Sequence, residues 1–355
     1  MAVPFRIGVM QLTMEPLDEM LASARVLDEA GMDTVWLAEA YPWWRKHQME
    51  ARGSTVVSAL MARETERLTI GWGIISPFTR HPVQSAMDAR LVQELAPDRF
   101  YVGYGTSKIF LNNVKRGGEK ISTLGAMRDA VEITRRFLEG DAFEYDGKVF
   151  SASIPALQAE AHAPRGSVPI YVAATAPKMQ TLGGEIGDGV LTPSITTPAF
   201  VRWTRENVRN GAAVSGRDPA EIDVGCTVVA SIHETDRDAG RDGAREIAGM
   251  YLANKFQNIR GAADTLLELA EIEMDELRAV AEAMERGGRL AAKEQVTDSL
   301  LDRCKAIAGT PEDCIAAIEQ YRAAGCTHVM LELWGDNRHD QIRLFGERVL
   351  PHFRG

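Results

Sequence analysis

Glu39 and His81 are the two titratable side chains of this sequence best suited to move a proton. Glu39 directly follows the apolar stretch TVWLA, residues 34–38, and His81 lies in SPFTRHP, residues 76–82, directly after another apolar run. Carboxylates and imidazoles are the side chains that most often act as general bases and acids. We therefore take both as candidate catalytic residues. The structural alternatives are that Glu39 pairs with a loop arginine and that His81 forms a hydrogen bond at a helix start.

A loop that is both aromatic and basic follows Glu39. Trp43 and Trp44 are adjacent in it, and Arg45 and Lys46 come next. Two adjacent tryptophans in one short loop are difficult to bury together, so we expect an exposed one to form a ligand wall. We expect the two cations to lie near the pocket mouth and to attract an anionic ligand. The alternatives are indoles packed under the loop and cations in a solvated loop.

The segment ATAPK, residues 174–178, has the composition of an anion site. It follows the strand PIYVA, and Pro177 suits the first position of a helix, where its missing N–H is no loss. The remaining N–H groups of a first helical turn attract negative charge. An ordinary helix start with Lys178 in solvent is the alternative.

Other well-known chemical motifs are missing from the sequence. There is no G-x-x-x-x-G-K-[ST], no HExxH and no G-x-S-x-G. Gly103 and Gly105 follow a strand, but Lys108 stands where a dinucleotide-binding fingerprint has its third glycine. We therefore expect neither a metal site nor a serine nucleophile. The four cysteines show no CxxC spacing, which favours reduced thiols.

The elements that must position these residues alternate between strand and helix. Apolar strands end in polar loops along most of the chain, and the units DEAGMDTVWLAE, residues 28–39, and RAAGCTHVMLEL, residues 322–333, resemble each other at the two ends. This pattern predicts an α/β fold, a closed (β/α)8 TIM barrel with active residues at the carboxyl ends of its strands. A doubly wound open sheet is the alternative.

Two segments interrupt the alternation within what we expect to be one domain, residues 1–355. FEYDGKVFSA contains an Asp-Gly turn between β-rich arms and predicts a hairpin insertion at about 141–155. A stretch rich in Ala, Glu and Leu predicts a helical insertion at about 254–308. We expect this insertion to pack on the barrel, and the alternative is a partner-binding helix.

Charge and hydropathy exclude several classes of protein. The formal net charge is −10, and no Lys/Arg run could follow a phosphate backbone, so we expect no nucleic-acid partner. No apolar run approaches the roughly 20 residues of a membrane span, and the N-terminus does not read as a signal peptide. We expect a cytoplasmic protein that acts on a small molecule.

Three stretches carry a family resemblance: IGWGIISPFTRHP, PDRFYVGYGTS and PIYVAATAPKMQTLGGEIGDGVL. They resemble the bacterial luciferase-like superfamily, and most closely the F420-dependent branch of the methylenetetrahydromethanopterin reductase type. The resemblance implies a (β/α)8 barrel, usually dimeric, with a flavin or deazaflavin at its mouth. It also implies a cis peptide between Gly73 and Ile74, against which the ring rests.

The resemblance assigns further residues to the cofactor. Glu39 matches an acid near the ring edge, and Ser76 matches a hydroxyl beside the ring. The other implied cofactor contacts are Asn112 and, around the phosphate, Ala174, Thr175, Ala176 and Lys178. We place Trp43, Trp44, Trp72 and Lys108 on the substrate side.

The resemblance implies hydride transfer between coenzyme F420 and an organic substrate. The glucose-6-phosphate-oxidising branch carries His after the strand-two acid and Glu after strand four, where this chain has Ala40 and Lys108. Sugar-phosphate oxidation is therefore not expected. An FMN-dependent monooxygenase of the luciferase type and a non-catalytic flavin-binding barrel are the alternatives.

Overall fold

A closed barrel of eight parallel strands forms the centre of this computed structural model. The structure describes residues 3–39, 51–106, 121–156, 168–258 and 262–354. The strands are β1 (Arg6–Leu12), β2 (Thr34–Ala38), β3 (Thr69–Trp72), β4 (Phe100–Tyr104), β5 (Phe143–Asp146), β6 (Ser151–Ile154), β7 (Ile170–Ala173), β8 (Gly189–Thr192), β9 (Asp223–Ile232), β10 (Ile307–Gly309) and β11 (His328–Glu332). The barrel order is β11-β1-β2-β3-β4-β7-β8-β9, and β9 pairs again with β11. The sheet closes on itself, so the TIM-barrel prediction is confirmed and the open sheet is excluded.

Helices cover the outside of the barrel. They are α1 (Leu17–Glu29), α2 (Ser54–Glu64), α3 (Pro82–Leu95), α4 (Thr123–Glu139), α5 (Pro177–Ile186), α6 (Pro198–Ser215), α7 (Arg237–Asn258), α8 (Ala262–Leu269), α9 (Met274–Glu294), α10 (Asp298–Arg303), α11 (Pro311–Ala323), α12 (Arg338–Leu344) and α13 (Leu350–Arg354). The main core lies between strands and helices, because outward-facing strand residues such as Val35, Ile70 and Val102 are fully buried there. No helix in the described ranges combines the length and apolarity that a membrane span requires.

Inward-facing side chains fill the barrel. One cluster of them, which we call the floor, consists of Met10, Trp36, Tyr171, Leu191 and Met330. Small residues make room for it, since a Cβ on Gly71 would lie 2.4 Å from the Trp36 ring. The floor separates the amino end of the barrel from the mouth.

A buried polar network closes the amino end beneath the floor. The Arg6 guanidinium forms an ion pair with Asp223 and donates to Tyr171 Oη over 3.2 Å. Tyr171 Oη donates to Asp223 over 2.7 Å, and His328 Nε2 lies 2.7 Å from Thr34 Oγ1. These contacts tie β1, β2, β7, β9 and β11 together at the amino end of the barrel.

The structure sets different bounds for the late helical segment. Its helices begin at Arg237, well before the expected boundary at about 254. Glycines weakened the helical pattern here, and Gly240 is required because a Cβ would lie 2.5 Å from the Gly309 carbonyl oxygen. Residues 307–309 form β10 beside Ala230–Ile232 rather than ending a helix. The segment packs on the barrel around its own cluster of buried residues, among them Ile247, Leu252 and Leu277.

The hairpin predicted at about 141–155 consists of β5 and β6. Its turn is anchored to α4, because the Asp129 carboxylate accepts from the N–H groups of Val149 and Phe150 over 2.6 and 2.9 Å. Tyr145 Oη donates to the same carboxylate over 2.9 Å.

Candidate active site at the barrel mouth

A half-buried surface, which we call the platform, lies at the ends of β2, β3, β4 and β7. The Gly73–Ile74 peptide is cis, as the resemblance implied. Gly105 faces Ile74 so closely that a Cβ would lie 2.7 Å from its side chain. Ala38 and Ala173 supply the neighbouring small surfaces, and both pack partly exposed against the floor. Small side chains on four successive strands leave room for a planar ligand over one side of the mouth.

Glu39 and Arg80 lie beside this platform. Arg80 Nη1 donates to both Glu39 carboxylate oxygens over 2.8 and 2.9 Å, and the carboxylate is only 6% exposed. The pair joins the ends of β2 and β3. The arginine pairing that we considered as the structural alternative for Glu39 is therefore present, and it also holds the carboxylate at the mouth.

Ser76 forms the turn after the platform. Its hydroxyl is fully buried and accepts from the Phe78 N–H over 3.2 Å, while its carbonyl accepts from Thr79 and Arg80. The turn brings Arg80 back toward Glu39. The described contacts of Ser76 are thus structural, and its contact with a ring stays a prediction.

The start of α5 has the features expected of an anion site. Pro177 is the first helical residue, Ala174 is buried, and Thr175 and Ala176 are half-buried. Lys178 is exposed in the first turn. Met179 and Gln180 donate their N–H groups to the Ala176 carbonyl, and the turn carries the positive end of the helix dipole. This site lies at the end of β7, next to Ala173 of the platform.

His81 does not lie at the site that we predicted for it. It is exposed and caps α3, with Nδ1 accepting from the Val83 N–H over 3.3 Å. Its ring packs edge-on against Phe150 of the hairpin, with the ring centroids 5.5 Å apart. Because these contacts direct the imidazole outside the barrel, we correct its assignment from catalytic residue to helix cap.

Trp72 also lies away from the mouth. It is fully buried between barrel and helices, packs on Phe100, and donates from Nε1 to Ser58 Oγ over 3.0 Å. Alternation along β3 explains this, because Gly71 and Gly73 face inward and Trp72 between them faces outward. The substrate-side assignment of Trp72 is therefore withdrawn.

Several predicted residues lie outside the described ranges. They are Ala40, Trp43, Trp44, Arg45, Lys46, Lys108 and Asn112. Their roles stay predictions.

A polar cluster around a buried carboxyl group was missed by the sequence analysis. Glu332 ends β11, and its Oε1 accepts from the hydroxyls of Tyr251 and Ser194. Its Oε2 is buried without a hydrogen-bond partner among the described residues. Lys255, one turn beyond Tyr251 on α7, is close enough to affect the Glu332 carboxyl electrostatically. We call Ser194, Tyr251, Lys255 and Glu332 the Glu332 cluster.

Burial dominates the titration of this cluster. It raises the pKa of Glu332 to about 8, although the hydrogen bonds from Tyr251 and Ser194 and the Lys255 ammonium oppose the rise. It lowers the pKa of Lys255 to about 8 against the attraction of Glu332. The sequence could have indicated this site. The similarity of residues 28–39 and 322–333 aligns Glu332 with Ala38, and because Ala38 faces inward, Glu332 is expected to face inward too.

The mouth fits a planar cofactor that carries a phosphate. The platform from Ala38 to Ala173 would support a ring, and the first turn of α5 would bind a phosphate near Thr175 and Ala176. Within the described residues, no cluster of His, Cys, Asp and Glu side chains has the arrangement of a metal site.

Comparisons with known proteins give relatives that cover nearly the whole chain. A methylenetetrahydromethanopterin reductase from Archaeoglobus fulgidus is 29% identical over 336 residues, which cover 93% of this chain and 94% of the relative. An F420-dependent glucose-6-phosphate dehydrogenase from Rhodococcus erythropolis is 24% identical, covering 95% of this chain and 94% of the relative.

The fold has a close counterpart among solved structures. The F420-dependent tetrahydromethanopterin reductase of Methanopyrus kandleri superimposes with a TM-score of 0.86 at 24% identity, covering 99% of both chains. The sequence profile of the luciferase-like monooxygenase family matches residues 1–328. Because the barrel is closed and the family profile matches most of the chain, we conclude that the chain belongs to the luciferase-like monooxygenase family.

Proposed function

We propose that this protein is an F420-dependent oxidoreductase that transfers a hydride between deazaflavin C5 and an organic substrate. The observation that carries the proposal is the platform of small residues directly beside the first turn of α5. This arrangement suits a flat ring joined to a phosphate, and relatives that cover nearly the whole chain are F420-dependent enzymes.

The chain's own residues hold and orient the cofactor. Gly73, Ile74, Gly105 and Ala173 support one face of the ring, so the other face is left for substrate. The α5 N–H groups and Thr175 bind the phosphate, and Ser76 and Asn112 are further proposed contacts. When bound, F420 supplies the hydride chemistry, and the protein contributes position and exclusion of water.

Glu39 is the proposed polar contact at the ring edge. Arg80 neutralises its charge and fixes its geometry, since both carboxylate oxygens are hydrogen-bonded to one guanidinium nitrogen. Trp43, Trp44 and Lys108 are proposed for the substrate side. Ala40 and Lys108 replace the histidine and glutamate of the sugar-phosphate branch, which favours a substrate other than glucose 6-phosphate.

An FMN-dependent monooxygenase is the second candidate, because the family includes such enzymes and a helix N-terminus binds either phosphate. Reaction with oxygen separates the two. Protein loaded with reduced F420 should consume almost no oxygen and should lose the reduced cofactor only when an organic acceptor is added. Rapid oxygen uptake with reduced FMN, and no binding of F420, would favour the monooxygenase. Binding of cofactor with no turnover on any acceptor would favour a non-catalytic barrel.

We also propose a cytoplasmic homodimer. All four cysteines are buried free thiols, which fits a reducing compartment. Helices α2 and α3 pack side by side and expose four large apolar side chains, one helical turn apart on each helix: Val56 and Leu60, Met87 and Leu91. Exposed apolar side chains on two adjacent helices are typical of an interface, and a second copy of the chain is the proposed partner of this face.

A further inference from the structure

We propose that Glu332 is the proton-transfer residue of this enzyme, exchanging a proton with the oxygen of a carbonyl or alcohol substrate. The role rests on the proposed hydride transfer and deepens it by naming the substrate class. Tyr251, Ser194 and Lys255 are positioning residues for this carboxyl group.

The strand register places Glu332 at the mouth. The side chains of His328, Met330 and Glu332 alternate along β11 with the outward residues Val329 and Leu331. Met330 belongs to the floor, so Glu332 occupies the next inward position, above it. The carboxyl therefore lies on the mouth side of Met330.

Met10 connects Glu332 to the platform. The paired residues of β1 and β11 run to Val9 and Leu331, and the same register continued by one residue puts Met10 beside Glu332. The Met10 methyl group lies 3.0 Å from the position that a Cβ on Gly73 would occupy. One side chain thus spans the distance from the carboxyl to the ring support.

The hydrogen bonds of Glu332 leave one oxygen available. Oε1 accepts hydrogen bonds from the hydroxyls of Tyr251 and Ser194, whereas Oε2 is buried without a hydrogen-bond partner among the described residues. A buried polar atom normally has a partner, and a substrate oxygen above the floor would supply it. Among the described residues, the titratable side chains that affect the pKa of this carboxyl are Tyr251 and Lys255, and both belong to α7.

The protonation state suits the role. Burial keeps Glu332 protonated at neutral pH, since its pKa is raised to about 8. In the reducing direction the C=O double bond opens: the substrate carbon receives the hydride with its electron pair, and the substrate oxygen receives the proton from Oε2. The substrate is reduced to an alcohol, F420 is oxidised and releases its ring N–H proton to solvent, and the carboxylate regains a proton from water.

Infrared titration tests the proton directly, without turnover. The unliganded protein should show a protonated carboxyl band that disappears as the pH rises through about 8. Glu332→Gln should lack the band, and the exposed control Glu285→Gln should keep it. A wild-type protein without such a band, or a band that persists in Glu332→Gln, would overturn the proposal.

Turnover of reduced F420 with a panel of aldehydes and ketones tests the catalytic role. Glu332→Gln should bind F420 within twofold of the wild type and reduce the best acceptor about a hundredfold more slowly, or worse. Equal rates in the two proteins would overturn the role of Glu332 alone. A wild type that binds F420 and reduces none of these aldehydes and ketones would overturn the carbonyl substrate class and this role with it, whereas a wild type that does not bind F420 would overturn the proposed function.

Tyr251→Phe separates positioning from packing. Loss of its hydrogen bond should raise the pKa of Glu332 further, so the alkaline limit of reduction should move to higher pH. Tyr321→Phe, which removes a buried hydroxyl bonded to backbone carbonyls elsewhere, should leave the pH profile in place. A profile unmoved by Tyr251→Phe would contradict the positioning role.

Discussion

Arg80 binds both carboxylate oxygens of Glu39 through a single nitrogen, at 2.8 and 2.9 Å. The two residues follow neighbouring strands, and Ser76 forms the turn that brings them together. Within the TRHP segment, the arginine thus forms an ion pair at the barrel mouth, whereas the histidine caps a helix on the outside of the barrel.

Removing Arg80 should destabilise the protein and weaken cofactor binding. Arg80→Ala leaves the Glu39 carboxylate largely buried without its cation, which costs about 2 kcal/mol for lost hydrogen bonds to a charged group. Arg80→Lys keeps the charge and should lose less. Urea unfolding of the three proteins measures the effect, and equal stability of wild type and Arg80→Ala would show that the pair contributes nothing.

A negative charge at the start of α5 should repel the cofactor. Thr175→Glu places a carboxylate where the phosphate is proposed to lie, so we expect at least a tenfold loss of F420 affinity, about 1.4 kcal/mol. Val214→Glu adds the same charge at an exposed position of α6 and serves as the control. If both variants bind F420 like the wild type, the phosphate site is elsewhere.

The network beneath the floor should make stability depend on pH. Burial pushes the pKa of Asp223 upward, but His328 Nδ1, 3.4 Å from the carboxylate, and the charge of Arg6 outweigh this and hold the pKa well below its ordinary value. Burial also lowers the pKa of His328. Both groups bind fewer protons in the folded state than in the unfolded state. The free energy of unfolding should therefore decrease as the pH is lowered, first below about 6.5, where the unfolded histidine takes up a proton, and then below about 4, where the unfolded carboxyl does.

Asp223→Asn should reduce the free energy of unfolding at pH 7 by about 3–5 kcal/mol, because Arg6 is left buried without its partner. The difference from the wild type should shrink below about pH 4, where the unfolded wild-type carboxyl takes up a proton. Asp141→Asn, at an exposed position, is the control. A constant difference across this pH range would contradict the assignment.

Charge on the apolar face of α3 should dissociate the proposed dimer. Leu91 is 53% exposed, and Leu91→Glu would bury a carboxylate if this face is the interface. Sedimentation should show a dimer for the wild type and for Val214→Glu, and a monomer for Leu91→Glu. An unchanged dimer in Leu91→Glu would place the interface on another surface.

The sequence predicted the barrel well because its strands and helices alternate with clear periods. The start of α5 was also predictable, since Pro177 and the small residues before it act locally. His81 and Trp72 were misplaced for a different reason. The direction of the His81 side chain depends on its contact with the hairpin, and that of Trp72 depends on the alternation along β3. Neither direction can be predicted from the position of the residue relative to an apolar run.

Glu332 was overlooked because its partners are distant in sequence. Tyr251 on α7 and Ser194 in the loop after β8 donate hydrogen bonds to its carboxylate. Only the closed barrel brings these two elements close to the end of β11. Local patterns do not reveal such a cluster. Strand alternation alone would have shown that Glu332 faces inward.

The central claim is that this barrel binds coenzyme F420, and equilibrium titration of the purified protein with F420 and with FMN tests it most directly. We predict saturable one-to-one binding of F420, tighter than that of FMN by at least tenfold and weakened in Thr175→Glu. Binding of FMN alone, or equal F420 affinity in wild type and Thr175→Glu, would contradict the account.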